Sequence, residues 1–257
     1  MYDDFDTAPA GYPGVASWYG APPPAREDLV HLCPECRDLM SDVVSLARRL
    51  SDPEPEPDWS VALRWLDSLC GGRQAVLSMT DEPLTGPVRV PDLLPPAQRE
   101  RLESCLTLLG TVADSFFDEE AGVALARALL RVHERAPGVV SGAPSAAQLA
   151  LGVVWAVGHA NGLLHPRGVT TEKELKRHLE LTQSGSTLGA KVCAALAGPY
   201  AWDVAMRPWS YGYGSRELKA LGHTDLLVSG VRRQLVAVRD RALDARQSQG
   251  VPPTGPA

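Results

Sequence analysis

The sequence predicts an all-α protein. Apolar residues recur at three- and four-residue spacings in several separate segments, the period of a helix with one buried face. No stretch alternates apolar and polar residues as a half-buried strand does, and there is neither an internal repeat nor a run of heptads. The prolines and glycines gather between the periodic segments, where they punctuate helices.

The elements follow in order. Residues 1–27 mix Pro9, Pro13, Pro22, Pro23 and Pro24 with Gly, Ala and isolated aromatics, and cannot bury a continuous apolar face; they are expected to form a tail. An N-terminal helical segment spans 28–80. Its first helix carries Leu29, Leu32, Leu39, Val43, Leu46 and Leu50 on one side. After the acidic, proline-rich SDPEPEPD, Asp58 or Ser60 caps a second helix through Leu63, Trp65, Leu66 and Leu69, which Gly71 and Gly72 end. Residues 81–96 hold Pro83, Pro87, Pro91, Pro95 and Pro96, which exclude a helix and mark a linker.

A central domain is expected over 97–198. Leu102, Cys105, Leu109, Val112, Ala113 and Phe116 form one helical stripe. The next helix starts at Asp118, with Glu119 and Glu120 in its first turn and Arg131, His133 and Arg135 near its end, before Pro137 and Gly138 stop it. A long apolar helix follows Pro144 and Ser145. Its run from Ala146 to Leu164 is nearly long enough to cross a bilayer, but Gln148, His159 and Asn161 inside it point to a buried central helix and no membrane. Residues 199–247 read as an aromatic loop, with Trp202, Trp209, Tyr211 and Tyr213, and a C-terminal amphipathic helix. That helix buries Leu226, Leu227, Val231, Leu235 and Val238 and turns Arg232, Arg233, Arg239, Arg241 and Arg246 outward. Residues 248–257 form a second tail.

The formal net charge is −6, unevenly spread. Residues 1–60 hold twelve Asp or Glu against four Arg; residues 207–257 hold eight Lys or Arg against four acids. This balance argues against non-specific coating of nucleic acid, which needs many phosphate contacts, while leaving room for a local basic surface. The five cysteines are odd in number and scattered, and no N-terminal stretch resembles a signal peptide, so a reducing cytoplasm is expected. His31, Cys33 and Cys36 form HLCPEC, half of a zinc ribbon. No second Cys-x-x-Cys completes it. Two helix cysteines one turn apart, with no metal, is the plainer reading; a site of His31, Cys33, Cys36 and Cys70 stays open.

Residues 171–197 carry the functional direction. Thr170 or Thr171 starts a short helix with Leu175 and Leu179 facing inward, and a second helix begins near Ser184 to Ser186. Ser186, Thr187, Gly189, Ala190 and Lys191 are of a size that lets a helix lie in a major groove. Together with Trp155, Gly158, Asn161, Thr171, Leu175 and Leu179, this pattern resembles a family of uncharacterised bacterial helical domains. It is more distantly similar to the cyclin-like repeat of transcription factor IIB, which ends in a helix-turn-helix. The resemblance covers roughly residues 100–197 and implies a cyclin-like or helix-turn-helix-containing helical bundle with helical N- and C-terminal extensions.

On that reading Ser186, Thr187 and Lys191 face DNA while Lys173, Lys176 and Arg177 approach its backbone. Glu180 departs from the pattern, taking the place of the turn glycine and bringing a negative charge. The turn is also about two residues longer than the pattern. No nucleophile elbow, phosphate loop, dinucleotide fingerprint or zinc-protease motif occurs, so no catalytic residue and no cofactor are expected. The expected function is a non-enzymatic, DNA-binding regulator, with a homodimer as the form that would pair half-sites; the alternative is a protein-interaction adaptor whose aromatic loop supplies the anchors.

Overall fold

The computed structural model describes residues 42–43, 56–168, 170–198 and 219–250. The fold is all-α: helices dominate the described residues, which contain no strand, only an isolated bridge between Leu164 and Thr170. The chain divides between Pro55 and Glu56. Before that point only Asp42 and Val43 are described, both helical. The rest of the expected first helix, the HLCPEC segment and the aromatic loop lie outside the described residues.

From Glu56 onward the helices are α1 (Asp58–Cys70), α2 (Arg73–Ser78), α3 (Pro96–Phe116), α4 (Glu119–Arg135), α5 (Pro137–Ser141), α6 (Ala146–Ala160), α7 (Glu172–His178), α8 (Ser186–Ala197) and α9 (Ser229–Ser248), with a 3-10 turn over Thr224–Leu226 before α9. Helix α6 is the centre. Its side chains are buried almost all round, and α3, α4, α7 and α8 pack on it. Ser145 caps it by accepting from the Gln148 N–H, and it ends at Ala160, too short to cross a membrane. No helix among the described residues is long and apolar enough to do so.

Local chemistry sets the helix ends. Asp118 caps α4 through the Ala121 N–H. Pro137 differs from expectation: it begins α5 at the first helical position, where a missing N–H costs nothing. Neither Asp58 nor Ser60 caps α1, since Asp58 lies within the first turn and the Ser60 hydroxyl donates to Glu56. Gly71 does end α1, at φ 90°.

Two expectations change. Segment 81–96 contains no helix before Pro96, yet it falls inside the unit that begins at Glu56. Leu84 is buried, and α1 on the far side of the segment packs against α9. The α9 arginines also divide. Arg233 is exposed beside Asp81, whereas Arg232 and Arg246 are buried and Arg239 is largely so.

The cause is backbone hydrogen bonding. A coil has no ladder for its carbonyls, and buried carbonyls need donors. Arg239 donates to the Val76 and Met79 carbonyls at 3.1 and 2.8 Å, and Arg232 donates to those of Thr80 and Glu82. Arg246 lies over the Trp59 ring at 5.7 Å. Seven-residue spacing puts all three on the inward side of α9. Arg232 also pairs with Glu120 at 3.2 Å, and Glu120 accepts from the Leu84 N–H, the Ser229 N–H and the Ser229 hydroxyl.

Candidate nucleic-acid interface

Helix α7 has only seven residues, below the length at which a helix is stable by itself, so its ends and its core contacts define it. Thr171 and Glu174 form a capping box: the Glu174 N–H donates to the Thr171 hydroxyl at 3.3 Å, and the Thr171 N–H donates to the Glu174 carboxylate at 2.8 Å. Hydrogen bonds from the Thr171 backbone and side chain hold the Glu174 carboxyl below its ordinary pKa. Leu175 and Leu179 are buried, as their spacing predicts.

The turn after α7 is a Schellman motif. The Leu181 N–H donates to the Lys176 carbonyl and the Glu180 N–H to that of Arg177, which places Glu180 at the left-handed position, φ 55°. It is the one non-glycine residue with positive φ among those described. The chain then folds back along α7, where the Lys176 ammonium donates to the Thr182 carbonyl.

Glu172, in the first turn of α7, closes the structure. Its carboxylate accepts from the Ser184 hydroxyl at 2.7 Å and from the Gly185 N–H at 2.9 Å. An α7 side chain thereby holds the N–H of Gly185, the residue that precedes α8, while the Ser184 hydroxyl accepts from the Ser186 N–H. Gln148 of α6 donates to the Ser184 carbonyl.

Helix α8 approaches α6 through glycines. A Cβ on Gly189 would stand 2.3 Å from the Trp155 ring, and one on Gly152 would stand 2.9 Å from Leu188. Close packing there fixes which side of α8 faces out. Thr187, Ala190, Lys191 and Ala194 are exposed, while Gly189, Val192 and Leu196 are buried. Of the expected contact residues, Lys173, Arg177, Thr187 and Lys191 are therefore exposed. Lys176 and Ser186 are half-buried, and the Ser186 hydroxyl shares a 2.9 Å hydrogen bond with Ser184.

The expected residues are only partly brought together. The first turns of α7 and α8 meet through Glu172, but α8 packs chiefly on α6 and only slightly on α7. Lys173, Arg177 and Lys191 make no hydrogen bond or ion pair with any described residue, although Arg177 does feel the Glu174 carboxylate. Arg101, Arg131, Arg135, Arg232 and Arg239, by contrast, all bond acceptors of the fold.

Sequence reasoning missed a further cation beside α8. Lys219 places its ammonium 5.9 Å from the Trp155 ring centroid, and His159 packs edge-on against the same ring at 4.6 Å. Burial, then Lys219 and Arg167, lower the His159 pKa. The i, i+4 spacing of Trp155 and His159 was the available signal; nothing local announces Lys219. Asn161 holds the end of α6 in place. It donates to the Val157 and Leu226 carbonyls and accepts from the Val228 N–H at 2.7 Å.

Among the described residues no group of three or more His, Cys, Asp or Glu side chains is placed to hold a metal ion. Cys70, the fourth member of the zinc set left open above, is buried in the core, where burial pushes its thiol up to about 12. No family model matches the chain, and neither does any curated protein or solved structure.

Proposed function

We propose that the chain is a cytoplasmic, non-enzymatic regulator that binds DNA through the outer sides of α7 and α8. The observation that carries this reading is that Lys173, Arg177 and Lys191 stand exposed, with no hydrogen bond or ion pair to a described residue, on the segment whose helix–turn–helix order suggests a nucleic-acid module. Lys219 beside α8 adds to the same positive field. Thr187, with its small neighbours Ala190 and Ala194, leaves room for close approach.

The mode of contact follows from Glu172. Its carboxylate holds the Gly185 N–H and sets a negative charge at the start of α8, where a helix otherwise attracts phosphate. DNA is therefore met by the flank of α8 and by α7 cations, in a mode dominated by phosphates. Pairing of two copies over two half-sites would supply the affinity that one small patch lacks.

The test is binding of the full chain to a pool of random duplex DNA across salt concentrations. The expected result is affinity that falls with salt, with a slope reduced by about 0.9 in Lys191→Ala for its one phosphate contact. Absent or salt-insensitive binding favours the alternative, a protein-interaction adaptor in which α7 and α8 are structural.

A further inference from the structure

A cavity of about 380 Å³ opens where the C-terminal ends of α1, α4 and α8 meet the turn before α9. Its wall carries Arg135, His223, Thr224 and Asp225, and its floor includes Gly71 and Gly222. The size lies within the range of small-molecule sites. The floor is bare backbone: a Cβ on Gly222 would stand 3.3 Å from Ala197.

The polar groups have a definite sign. Asp225 is neutralised by a two-pronged pair with Arg131, at 2.7 and 3.1 Å. Arg135 gives one N–H to the Leu196 carbonyl at 2.7 Å, and the rest of its guanidinium fork bonds no described residue. Arg127, Arg131 and Arg135 recur at four-residue spacing along one side of α4, and their guanidinium charges offset the negative partial charge of the helix C-termini that meet here. His223 Nε2 is buried and bonds no described residue. The His223 pKa is lowered to about 4, by burial and then by Arg131 and Arg135, so the ring is neutral near pH 7 and can donate from Nε2.

We propose that this cavity binds the oxyanion of a small molecule, a carboxylate or phosphate held by Arg135, the Thr224 hydroxyl and the His223 Nε2–H. Arg135, His223 and Thr224 all line this one small volume, and an anion is the partner that can accept from all three. Asp225, its charge already matched by Arg131, accepts from a hydroxyl or amino group elsewhere on the ligand. The inference is independent of the DNA reading, since none of these residues belongs to the outer sides of α7 and α8.

The test is isothermal titration calorimetry of the full chain with inorganic phosphate and, separately, acetate, both at constant ionic strength in chloride. Saturable binding of at least one is expected, and comparison of the two arms identifies which oxyanion the site takes. Arg135→Gln should weaken that binding at least tenfold and Thr224→Val several-fold, while exposed Arg89→Gln should leave it unchanged. In the unsubstituted protein, nitrogen NMR of the imidazoles should show the His223 Nε2 signal moving with saturation, a readout that needs no variant to fold. Failure of both anions to bind, equal affinity in Arg135→Gln, an equal loss in Arg89→Gln, or a stationary His223 signal during binding would each overturn the proposal.

Discussion

Gly71 and Gly222 meet backbone to backbone: a Cβ built on Gly71 would lie 2.1 Å from the Gly222 carbonyl oxygen. The Gly222 N–H in turn donates to the Leu69 carbonyl at 3.2 Å. This contact joins the end of α1 to the turn that leads into α9, across 151 positions of sequence. Gly71→Ala must strain φ 90° and also push Gly222 away, a combined loss of about 2–4 kcal/mol. Gly86, at φ 100° with open space around it, carries only the conformational cost, about 1–2 kcal/mol for Gly86→Ala. Urea unfolding of both variants separates the two effects; equal losses would contradict the close contact.

The pair of half-buried Glu120 and buried Arg232 makes stability depend on acid. Burial alone would raise the Glu120 pKa, but hydrogen bonds from Ser229, Leu84 and Arg232 prevail and hold it below its ordinary value. A folded pKa below the unfolded one means stability present above the unfolded value, about 4.3, and lost as pH falls through the folded value. Glu120→Gln should lose this part of the acid dependence. Arg232→Met, which strands the carboxylate, should cost about 3–5 kcal/mol, and adding Glu120→Gln should recover part of it. Denaturant midpoints measured from pH 7 to pH 3 check both.

Glu180 occupies a left-handed position without glycine's freedom. Glu180→Gly should stabilise the chain by about 1 kcal/mol, raising Tm by a few degrees. A fall in Tm on thermal unfolding would show that the Glu180 side chain contributes more than its backbone strain costs.

Asn161 satisfies three backbone groups with one buried amide. Asn161→Ala leaves the Val228 N–H and the Leu226 carbonyl without these partners, and should destabilise by about 2–4 kcal/mol. Hydrogen exchange should locate the damage. Val228 and the first turn of α9 are expected to lose protection before α6 does.

The elements most legible in the sequence were those fixed by their own neighbours. Ser145 and Asp118 announced α6 and α4, and the Thr170–Thr171 pair announced α7, with Thr171 the residue that caps it, because a cap acts within three residues. The apolar stripe of α3 was equally plain. What escaped was whatever a distant segment decides. The α9 arginines read as an outer face because guanidinium groups normally seek water; carbonyls of residues 76–82 turn Arg232 and Arg239 inward, and the Trp59 ring receives Arg246. At the candidate interface, Lys173, Arg177, Thr187 and Lys191 lie exposed, whereas Lys176 and Ser186 are half-buried and bonded to the turn. The Glu172 clamp on α8 was hidden, since its acceptor and donor stand thirteen residues apart across a turn whose path spacing does not encode.

The inward arginines of α9 also order events in time. Residues 229–248 are synthesised after every carbonyl they hold, and at ordinary elongation rates roughly ten to thirty seconds separate the emergence of α1 from that of α9. During that interval the apolar side of α1, with Leu63, Leu66 and Leu69, lacks its principal cover. Helices α3, α4, α6 and α8 can assemble meanwhile, because their mutual contacts need nothing beyond Ala197. Nascent chains of this protein should therefore pass through a state with a finished centre and an unlatched amino-terminal edge.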